Sequence, residues 1–181
     1  MAEADTARAD GELVNQISPE DYKAGMRQLA ASVNVVAAEF NGTRDGLTAT
    51  AACSIAAEPP QLLVSINSAS DAHNVIRKAG AFSLNILARD QENIAKRFAG
   101  MDGAERSERF HLGTWNTMIT GAPVLTGAVA NFDCEIEQMV TAATHTIFIG
   151  LVVAVASRAD DSPLLYGDGK FTGLSGVNAP A

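Results

Sequence analysis

Alternation of apolar and polar residues predicts β-strands along most of the chain. In residues 82–86, Phe, Leu and Ile alternate with Ser and Asn, and in residues 132–137, Phe, Cys and Ile alternate with acidic residues. A period of two places the apolar side chains on one face of a strand, so the acidic face of 132–137 is predicted to meet solvent. Residues 144–157 are almost continuously apolar after position 147, which predicts a long strand buried on both faces. The other predicted strands are 33–40, 62–66, 163–166 and 170–172.

Three segments combine an N-terminal capping residue with the composition of a helix. Ser18 is followed by Pro19 and two acidic residues, which suit the first helical turn. Gly80 and Gly100 suit the C-terminal ends of the second and third segments. The charged residues 101–109 are predicted to form a mobile loop, with a helical turn as the alternative within it. The predicted helices, with Ser18, Ser70 and Asp90 as their caps, are 18–31, 70–80 and 90–100.

Strands outnumber helices and occur in runs, so the predicted class is mainly β or α+β, with a barrel. The 181 residues are most simply one domain, predicted at 17–175, because the polar and acidic residues 1–16 have the composition of a disordered arm. Residues 176–181 are predicted to be a flexible tail. No apolar signal segment opens the sequence, and the apolar run 147–156 is too short to span a bilayer. We therefore expect a cytoplasmic protein with no membrane partner.

The net charge and the cysteine content limit the partners and the metal sites that the sequence allows. A formal net charge of −8 disfavours nucleic acid as a partner, although backbone N–H groups and hydroxyls can still hold a small anion. The two cysteines, Cys53 and Cys134, and the three histidines are scattered without zinc-site spacing, so no metal site is predicted. Both cysteines are interpreted as small buried residues in a reducing compartment. No Gly-x-Gly-x-x-Gly motif follows a strand, so no Rossmann dinucleotide site is predicted.

Residues 46–60, GLTATAACSIAAEPP, are unusually small and rich in hydroxyls. A strand over 47–55 places Leu, Ala, Cys and Ile on one face and two Thr, an Ala and a Ser on the other. A helix also fits, because Leu47, Ala51 and Ile55 are spaced by four residues; the glycine and prolines that bound the segment favour the strand. A face of small hydroxyls lets a ligand approach the backbone and suits a flat heterocycle with a phosphate tail. The alternative is a tightly curved barrel wall that needs small side chains.

The same stretch, followed by LLVSIN at 62–67, resembles the short-chain flavin reductases, the reductase components of two-component flavin monooxygenases such as 4-hydroxyphenylacetate 3-monooxygenase. The resemblance covers nearly all of residues 22–173. Two positions depart from the family pattern, because Ser68 stands where a basic residue is common and Ala143 where a glycine is frequent. The other matching motifs are AFSLNIL at 81–87, AKRFAG at 95–100, GTW at 113–115, GAPVL at 121–125, TH at 144–145 and PLLY at 163–166.

This resemblance implies an FMN-binding split β-barrel with peripheral helices that works as a homodimer. It implies an NAD(P)H:flavin oxidoreductase that transfers a hydride from NADH or NADPH to FMN or FAD and supplies the reduced flavin to a partner oxygenase. The nicotinamide would stack on the flavin itself, which carries the chemistry. Two alternatives stay open: a reductase on the same scaffold with another acceptor, such as a cobalt corrin or a ferric chelate, and a flavin-binding module without turnover. A tightly retained flavin would favour either alternative.

The resemblance also implies a set of flavin contacts, carried over position by position. Thr48, Ala49 and Thr50 would meet the isoalloxazine edge, and Cys53 and Ser54 would lie towards the ribityl and phosphate end. The remaining implied cofactor contacts are Asn67, Ser68 and Ser70 beside the phosphate, Ser32 and Val33 beside the ring, and Arg97 and Phe98 at the other end of the site.

His145 is the one side chain to which the sequence assigns a catalytic role. It precedes the long apolar strand, and strand ends at a barrel mouth are common places for ligand-facing groups. The alternative is a histidine whose ring is satisfied by a local carbonyl. The resemblance favours the ligand-facing interpretation, because the matching histidine of relatives lies by the flavin and the nicotinamide. Tyr166 is implied as a further residue on the nucleotide side.

Overall fold

The computed structural model describes residues 17–158 and 161–174. The predicted arm 1–16 and tail 176–181 lie outside the described residues. Among the helices of the described ranges, none is long and apolar enough to cross a membrane. The helices are α1 (Pro19–Met26), α2 (Asp71–Ala79) and α3 (Glu92–Phe98), and a short 3₁₀ helix covers Arg106–His111. The strands are β1 (Ala31–Ser32), β2 (Asn34–Phe40), β3 (Thr43–Ala49), β4 (Ala52–Ala57), β5 (Pro60–Asn67), β6 (Ala81–Ile86), β7 (Trp115–Thr117), β8 (Pro123–Leu125), β9 (Ala130–Ala142), β10 (His145–Ser157), β11 (Leu165–Gly167) and β12 (Lys170–Thr172).

Seven strands form one antiparallel sheet in the order β3, β2, β6, β9, β10, β5, β4. The two edge strands, β3 and β4, are consecutive in the chain, and only Thr50 and Ala51 separate them. The sheet must therefore curl until its edges meet at this corner, although within the described residues it stays open and does not close into a barrel. The Ser65 N–H of β5 donates to the Ala51 carbonyl at 2.9 Å and fixes the corner. The mainly β class with peripheral helices is confirmed.

Strand β2 is buried on both faces because a separate layer covers each side of the sheet. On one side, Val36 belongs to a cluster that includes Ile76 of α2. On the other side, Val35 belongs to a cluster that includes Phe98 of α3 and Leu125 of β8. All five side chains are at most 1 % exposed, and each contributes about 1.5–3 kcal/mol of burial free energy. The core thus fixes α2 and α3 against the sheet, and these two helices flank the corner.

The hydroxyl-rich segment 47–55 is neither the single strand nor the helix that its pattern allowed. Strand β3 ends at Ala49 and β4 begins at Ala52. The Ala52 N–H donates to the Thr50 carbonyl at 3.0 Å, so the backbone makes a tight turn between the two strands. Hydrogen bonding to β5 then continues from Ala52 onwards. The residues before and after the turn consequently face different parts of the protein.

Two helix boundaries also differ from the prediction. Helix α1 ends at Met26, and the N–H groups of Gln28 and Leu29 donate to carbonyls three residues back, which tightens and closes the helix before position 31. None of its residues is buried, so no packing extends it. The helix predicted over 90–100 is preceded by Gln91 and not capped by Asp90, because the first helical bonds end on the Gln91 carbonyl.

The acidic face predicted for 132–137 is exposed at Glu135 and Glu137, but the prediction is wrong at Asp133, and the prediction that β10 is buried on both faces is wrong as well. Asp133 is fully buried, because its carboxylate accepts hydrogen bonds from the N–H groups of Ile119 at 2.7 Å and Thr120 at 2.8 Å. Strand β10 is not buried on both faces, because a single chain leaves its C-terminal part uncovered; Val155 is 60 % exposed. The final strand pair is confirmed, since β11 pairs with β12 across a turn at Asp168.

Candidate functional site

A cavity of ≈ 560 Å³, here called the corner cavity, lies where the two edges of the sheet meet. The ends of β3 and β5 and the N-terminus of α2 form one side, and α3 and the 3₁₀ helix form the other. Residues that are far apart in the sequence therefore share one space. Of the contacts implied from the sequence, the corner cavity brings together Thr48, Ala49, Thr50, Asn67, Ser70, Phe98 and His145.

The N-terminus of α2 forms the polar end of the corner cavity. Ser70 caps this helix, and its hydroxyl accepts a hydrogen bond from the His73 N–H at 3.3 Å. Asn67 shapes the preceding turn, because its side-chain oxygen accepts from the Ala69 N–H at 2.9 Å. The free N–H groups at the start of a helix attract an anion, so this end of the cavity could hold a phosphate. Ser68 is exposed on the same turn, but it is not among the residues that line the cavity.

Thr48 and Thr50 have different roles at the end of β3. The Thr48 hydroxyl donates to the Ala95 carbonyl of α3 at 2.7 Å and ties the strand to that helix. Thr50 is exposed to the cavity, and among the described residues its hydroxyl has no hydrogen-bond partner. The Thr50 hydroxyl is therefore available to a ligand. Phe98, which is 1 % exposed, supplies an apolar part of the wall.

Two arginines of the 3₁₀ helix, Arg106 and Arg109, line the corner cavity and were missed in the sequence. The helical turn that was the alternative within the predicted loop 101–109 is present as the start of the 3₁₀ helix, and ion pairs from Arg106 to Asp45 and Asp71 fasten this segment to β3 and α2. In a 3₁₀ helix, residues three apart lie on the same side, so the spacing of the two arginines is a signal once that helix is recognised. The hydrogen bond to Asp45 raises the pKa of Arg106, which keeps its charge beside the cavity.

Gly46 allows three elements to approach one another behind the cavity wall. Its carbonyl accepts a hydrogen bond from Nη1 of Arg109 at 2.9 Å. A Cβ at position 46 would lie 2.8 Å from the Val36 carbonyl oxygen and 3.1 Å from the Phe98 ring. The Val36 carbonyl oxygen belongs to the backbone of β2 and cannot move without moving the strand. A larger residue at position 46 would therefore displace β2 or α3. This close approach explains the glycine that opens the hydroxyl-rich stretch.

His145 opens β10 and lies opposite Asn67 of β5 in the register of the sheet. Its ring lines the corner cavity, and its Nδ1 lies 2.9 Å from the hydroxyl of the neighbouring Thr144. With Nδ1 engaged, Nε2 is the ring nitrogen left to meet a ligand. Tyr166 lines a neighbouring groove that shares Thr50 with the corner cavity, so it lies at the margin of the site.

The other implied contacts lie away from the corner cavity. Val33 is a core residue that is 1 % exposed, and Arg97 pairs with Asp102. The tight turn at 50–51 redirects the chain, so the residues of β4 face a separate apolar groove of ≈ 500 Å³ over β4, β5 and β10. The implied contacts that line this groove are Ser32, Cys53 and Ser54.

The two cysteines occupy opposite environments. Cys134 is buried as predicted, and burial, with a smaller contribution from Asp133, raises the pKa of its thiol to about 12. Cys53 is exposed, contrary to the prediction, because it lies on the edge strand β4 at the apolar groove. Across 17–158 and 161–174, no three His, Cys, Asp or Glu side chains are grouped so as to hold a metal ion.

Comparison with known proteins identifies the family. Residues 26–175 match the family model described as the flavin reductase like domain. The chain therefore belongs to this family, and the resemblance seen in its motifs is confirmed. Within the family, its relatives are oxidoreductases, which agrees with the enzyme class expected from the sequence.

Two curated relatives and one solved structure illustrate the similarity. The chain is 38 % identical over 156 residues to the FMN reductase (NADH) RutF of Stutzerimonas stutzeri (strain A1501), covering 86 % of this chain and 88 % of the relative. It is 36 % identical over 150 residues to the 4-hydroxyphenylacetate 3-monooxygenase reductase component of Salmonella typhimurium, covering 83 % and 88 %. The solved flavin reductase PheA2 matches with a TM-score of 0.81 and 29 % identity, covering 88 % of this chain and 99 % of that one. The expected split-barrel fold is thus confirmed.

Proposed function

We propose that this protein transfers a hydride from NADH or NADPH to FMN or FAD held in the corner cavity, and that the reduced flavin passes to a separate oxygenase. Family membership supports the reduction of a flavin. The name of the Salmonella relative, a reductase component of a monooxygenase, supports the oxygenase partner. The observation that carries the proposal is a single cavity that combines a helix N-terminus, two arginines and a free threonine hydroxyl.

The residues of the corner cavity fit a flavin in charge and in hydrogen-bonding character. The start of α2 suits the phosphate, and Arg106, which also pairs with Asp45 and Asp71, lines the same cavity. The Thr50 hydroxyl can both donate and accept, which suits the mixed N–H and C=O edge of an isoalloxazine. Phe98 supplies an apolar wall, and a volume of ≈ 560 Å³ is within the range of roughly 300–1,000 Å³ found for ligand sites.

The side chains around the flavin bind and orient the reactants, while the flavin, when bound, supplies the ring that accepts the hydride. Hydride transfer between stacked rings needs proximity and orientation more than an acid or a base. His145 is placed at the cavity with Nε2 free, so it serves as a hydrogen-bond donor to the nicotinamide nucleotide or to negative charge on the reduced flavin.

The apolar groove supports a homodimer. Large apolar side chains are exposed on its strands: Val155 of β10 is 60 % exposed and Ile55 of β4 is 45 % exposed. Neighbouring residues of both strands line the groove of ≈ 500 Å³. A second copy of the chain, related by a twofold axis, would bury both faces at once. The second copy would cover the apolar surface of β10 that one chain leaves exposed.

The experiment that tests the proposal is a flavin-dependent oxidation assay. Purified protein is mixed with NADH or NADPH and with FMN or FAD, in all four combinations, and nucleotide oxidation is followed by absorbance. We expect turnover that depends on added flavin. Lack of turnover in every combination would contradict the proposal. A flavin that stays bound through purification, together with reduction of a ferric chelate, would instead support the alternative acceptor.

A further inference from the structure

A second polar space, here called the α1 groove, adjoins the corner cavity. Helix α1, the turn between β11 and β12, and the corner residues Thr50 and Ala51 line it. Thr50 and Ala51 also line the corner cavity, so the two spaces meet at the turn between β3 and β4. The apolar groove, in contrast, shares no lining residue with the corner cavity. A ligand that reaches past Thr50 therefore enters the α1 groove.

The two ligands of the proposed reaction need more room than the corner cavity offers. Its volume of ≈ 560 Å³ suits one ligand, since single ligand sites span roughly 300–1,000 Å³. Hydride transfer requires only that the nicotinamide ring lies on the flavin. The two phosphates, two riboses and adenine of the nucleotide take no part in the transfer and need space elsewhere. The α1 groove adds ≈ 700 Å³ at the edge of the corner cavity, which is enough for that part of the nucleotide.

The α1 groove carries two cations on one side of helix α1. Lys23 and Arg27 both line the groove, and residues four apart lie on the same face of a helix. Among the described residues, neither side chain forms an ion pair, although the chain has a net charge of −8. Asp168 lines the groove as well, but it pairs with neither cation. Two cations without acidic partners favour an anionic ligand, and phosphates are acceptors that suit both side chains.

The fold holds α1 in place beside the groove even though none of its residues is buried. The Asp168 N–H donates to the Arg27 carbonyl at 2.8 Å and ties the end of the helix to the turn between β11 and β12. A Cβ at Gly167 would lie 3.2 Å from the Cβ of Ala30, so the two segments approach closely. The ring of Tyr22 lines the groove and is 57 % exposed. An exposed aromatic face with a polar tip suits a flat base such as adenine.

We infer that the α1 groove binds the adenosine diphosphate half of the nicotinamide nucleotide, with Lys23 and Arg27 beside the phosphates and Tyr22 beside the adenine. The nucleotide then lies extended, with its nicotinamide in the corner cavity and its phosphates beyond the turn at 50–51. This inference rests on the proposed function, which supplies the nucleotide as a substrate. The two cations bind the ground state and the transition state equally, so they lower KM and leave kcat unchanged.

Two hydride donors test the groove by steady-state kinetics at saturating flavin. One is NADH or NADPH, whichever the wild type oxidises faster, and the other is reduced nicotinamide riboside, which lacks both phosphates and the adenine. We expect Lys23→Gln and Arg27→Gln each to raise KM for the dinucleotide roughly three- to tenfold, as for one lost hydrogen bond to a phosphate, with kcat unchanged. The kinetics with the riboside should not change. Lys78→Gln is the control, because Lys78 is an exposed cation at the far end of α2 that lines neither space.

Titration calorimetry with ADP-ribose, which lacks the nicotinamide, tests the groove without turnover. Both substitutions should weaken ADP-ribose binding by the same roughly three- to tenfold factor. If the riboside is oxidised too slowly to measure, this titration carries the test. Unchanged KM and ADP-ribose affinity in both variants, or an equal loss with the riboside, would overturn the inference. Failure of the proposed function looks different: the wild type would then oxidise neither donor, while its affinity for ADP-ribose could still be compared with that of the variants.

Discussion

The buried carboxylate of Asp45 pairs with the guanidinium of Arg106, a residue 61 positions further along the chain. The same carboxylate accepts from the Gly46 N–H at 2.8 Å and lies 3.5 Å from the guanidinium of Arg109. Asp45 is 2 % exposed, so its charge needs these partners. One buried acid of β3 thereby fastens the 3₁₀ helix over the corner cavity. The wall of the cavity and the stability of the fold depend on the same pair.

Arg106→Gln should lower the free energy of unfolding by about 1–3 kcal/mol, because it removes the charged donor from a buried carboxylate. Urea denaturation measures the change. Asp71→Asn is the matched control, since it removes the other partner of the same arginine, at a side chain that is 67 % exposed. An exposed ion pair contributes about 0–1 kcal/mol. Equal destabilisation by the two substitutions would show that burial of Asp45 does not matter.

The free hydroxyl of Thr50 should contribute to flavin binding, and that of Ser54 should not. Thr50 lines the corner cavity, whereas Ser54 lies on the apolar groove beyond the turn at 50–51. Thr50→Val should weaken flavin binding by about 1–3 kcal/mol, the cost of a polar ligand group left without its partner. Ser54→Ala should leave the dissociation constant unchanged. Fluorescence titration with FMN or FAD measures the two dissociation constants. If Ser54→Ala weakens flavin binding as much as Thr50→Val does, the prediction that only Thr50 contacts the flavin is wrong.

Strands β6, β9 and β10 could be predicted from the sequence, because apolar and polar residues alternate in β6 and β9 and because β10 is almost continuously apolar. The turn that divides the hydroxyl-rich stretch into β3 and β4 could not be predicted. Thr50 and Ala51 carry none of the usual turn signals of Gly, Pro or Asn, so a period of two continues across a point where the chain turns. Tertiary pairing with β5 sets the turn, through the Ser65 N–H on the Ala51 carbonyl. Cys53 and Ser54 therefore line the apolar groove and do not line the corner cavity.

The candidate site was predictable where it depends on local chemistry. Ser70 caps α2, and this capping signal is visible in the sequence. Arg106 and Arg109 were not predictable in the same way, because their place depends on an ion pair with an acid 61 residues away. Asp133 shows the same limit: its neighbours in the sequence indicate a solvated face, but the distant loop at Thr120 supplies buried donors.

The exposed apolar end of β10 should hold two copies of the chain together. We expect the wild-type protein to be a dimer at micromolar concentration, measured by light scattering after size-exclusion chromatography. Val155→Asp should shift it towards monomer, because a charge at the groove would be buried without a partner. Ile119→Asp is the matched control, since Ile119 is 68 % exposed on a loop and does not line the groove. A wild-type monomer, or an equal effect of both substitutions, would argue against the groove as interface.

His145 should act on the nicotinamide nucleotide more than on the flavin. The imidazole stands at the cavity wall with Nδ1 engaged by Thr144, so Nε2 can donate to the incoming nucleotide or to charge on the reduced flavin. His145→Ala should lower kcat/KM for NADH or NADPH by roughly 10- to 100-fold at saturating flavin, as for one lost transition-state contact, while the flavin dissociation constant changes little. His111→Ala, an exposed histidine of the 3₁₀ helix that does not line the cavity, is the control. If kcat/KM with both nucleotides stays at the wild-type value in His145→Ala, the imidazole only completes the hydrogen bond to Thr144, and the nucleotide binds elsewhere on the flavin face.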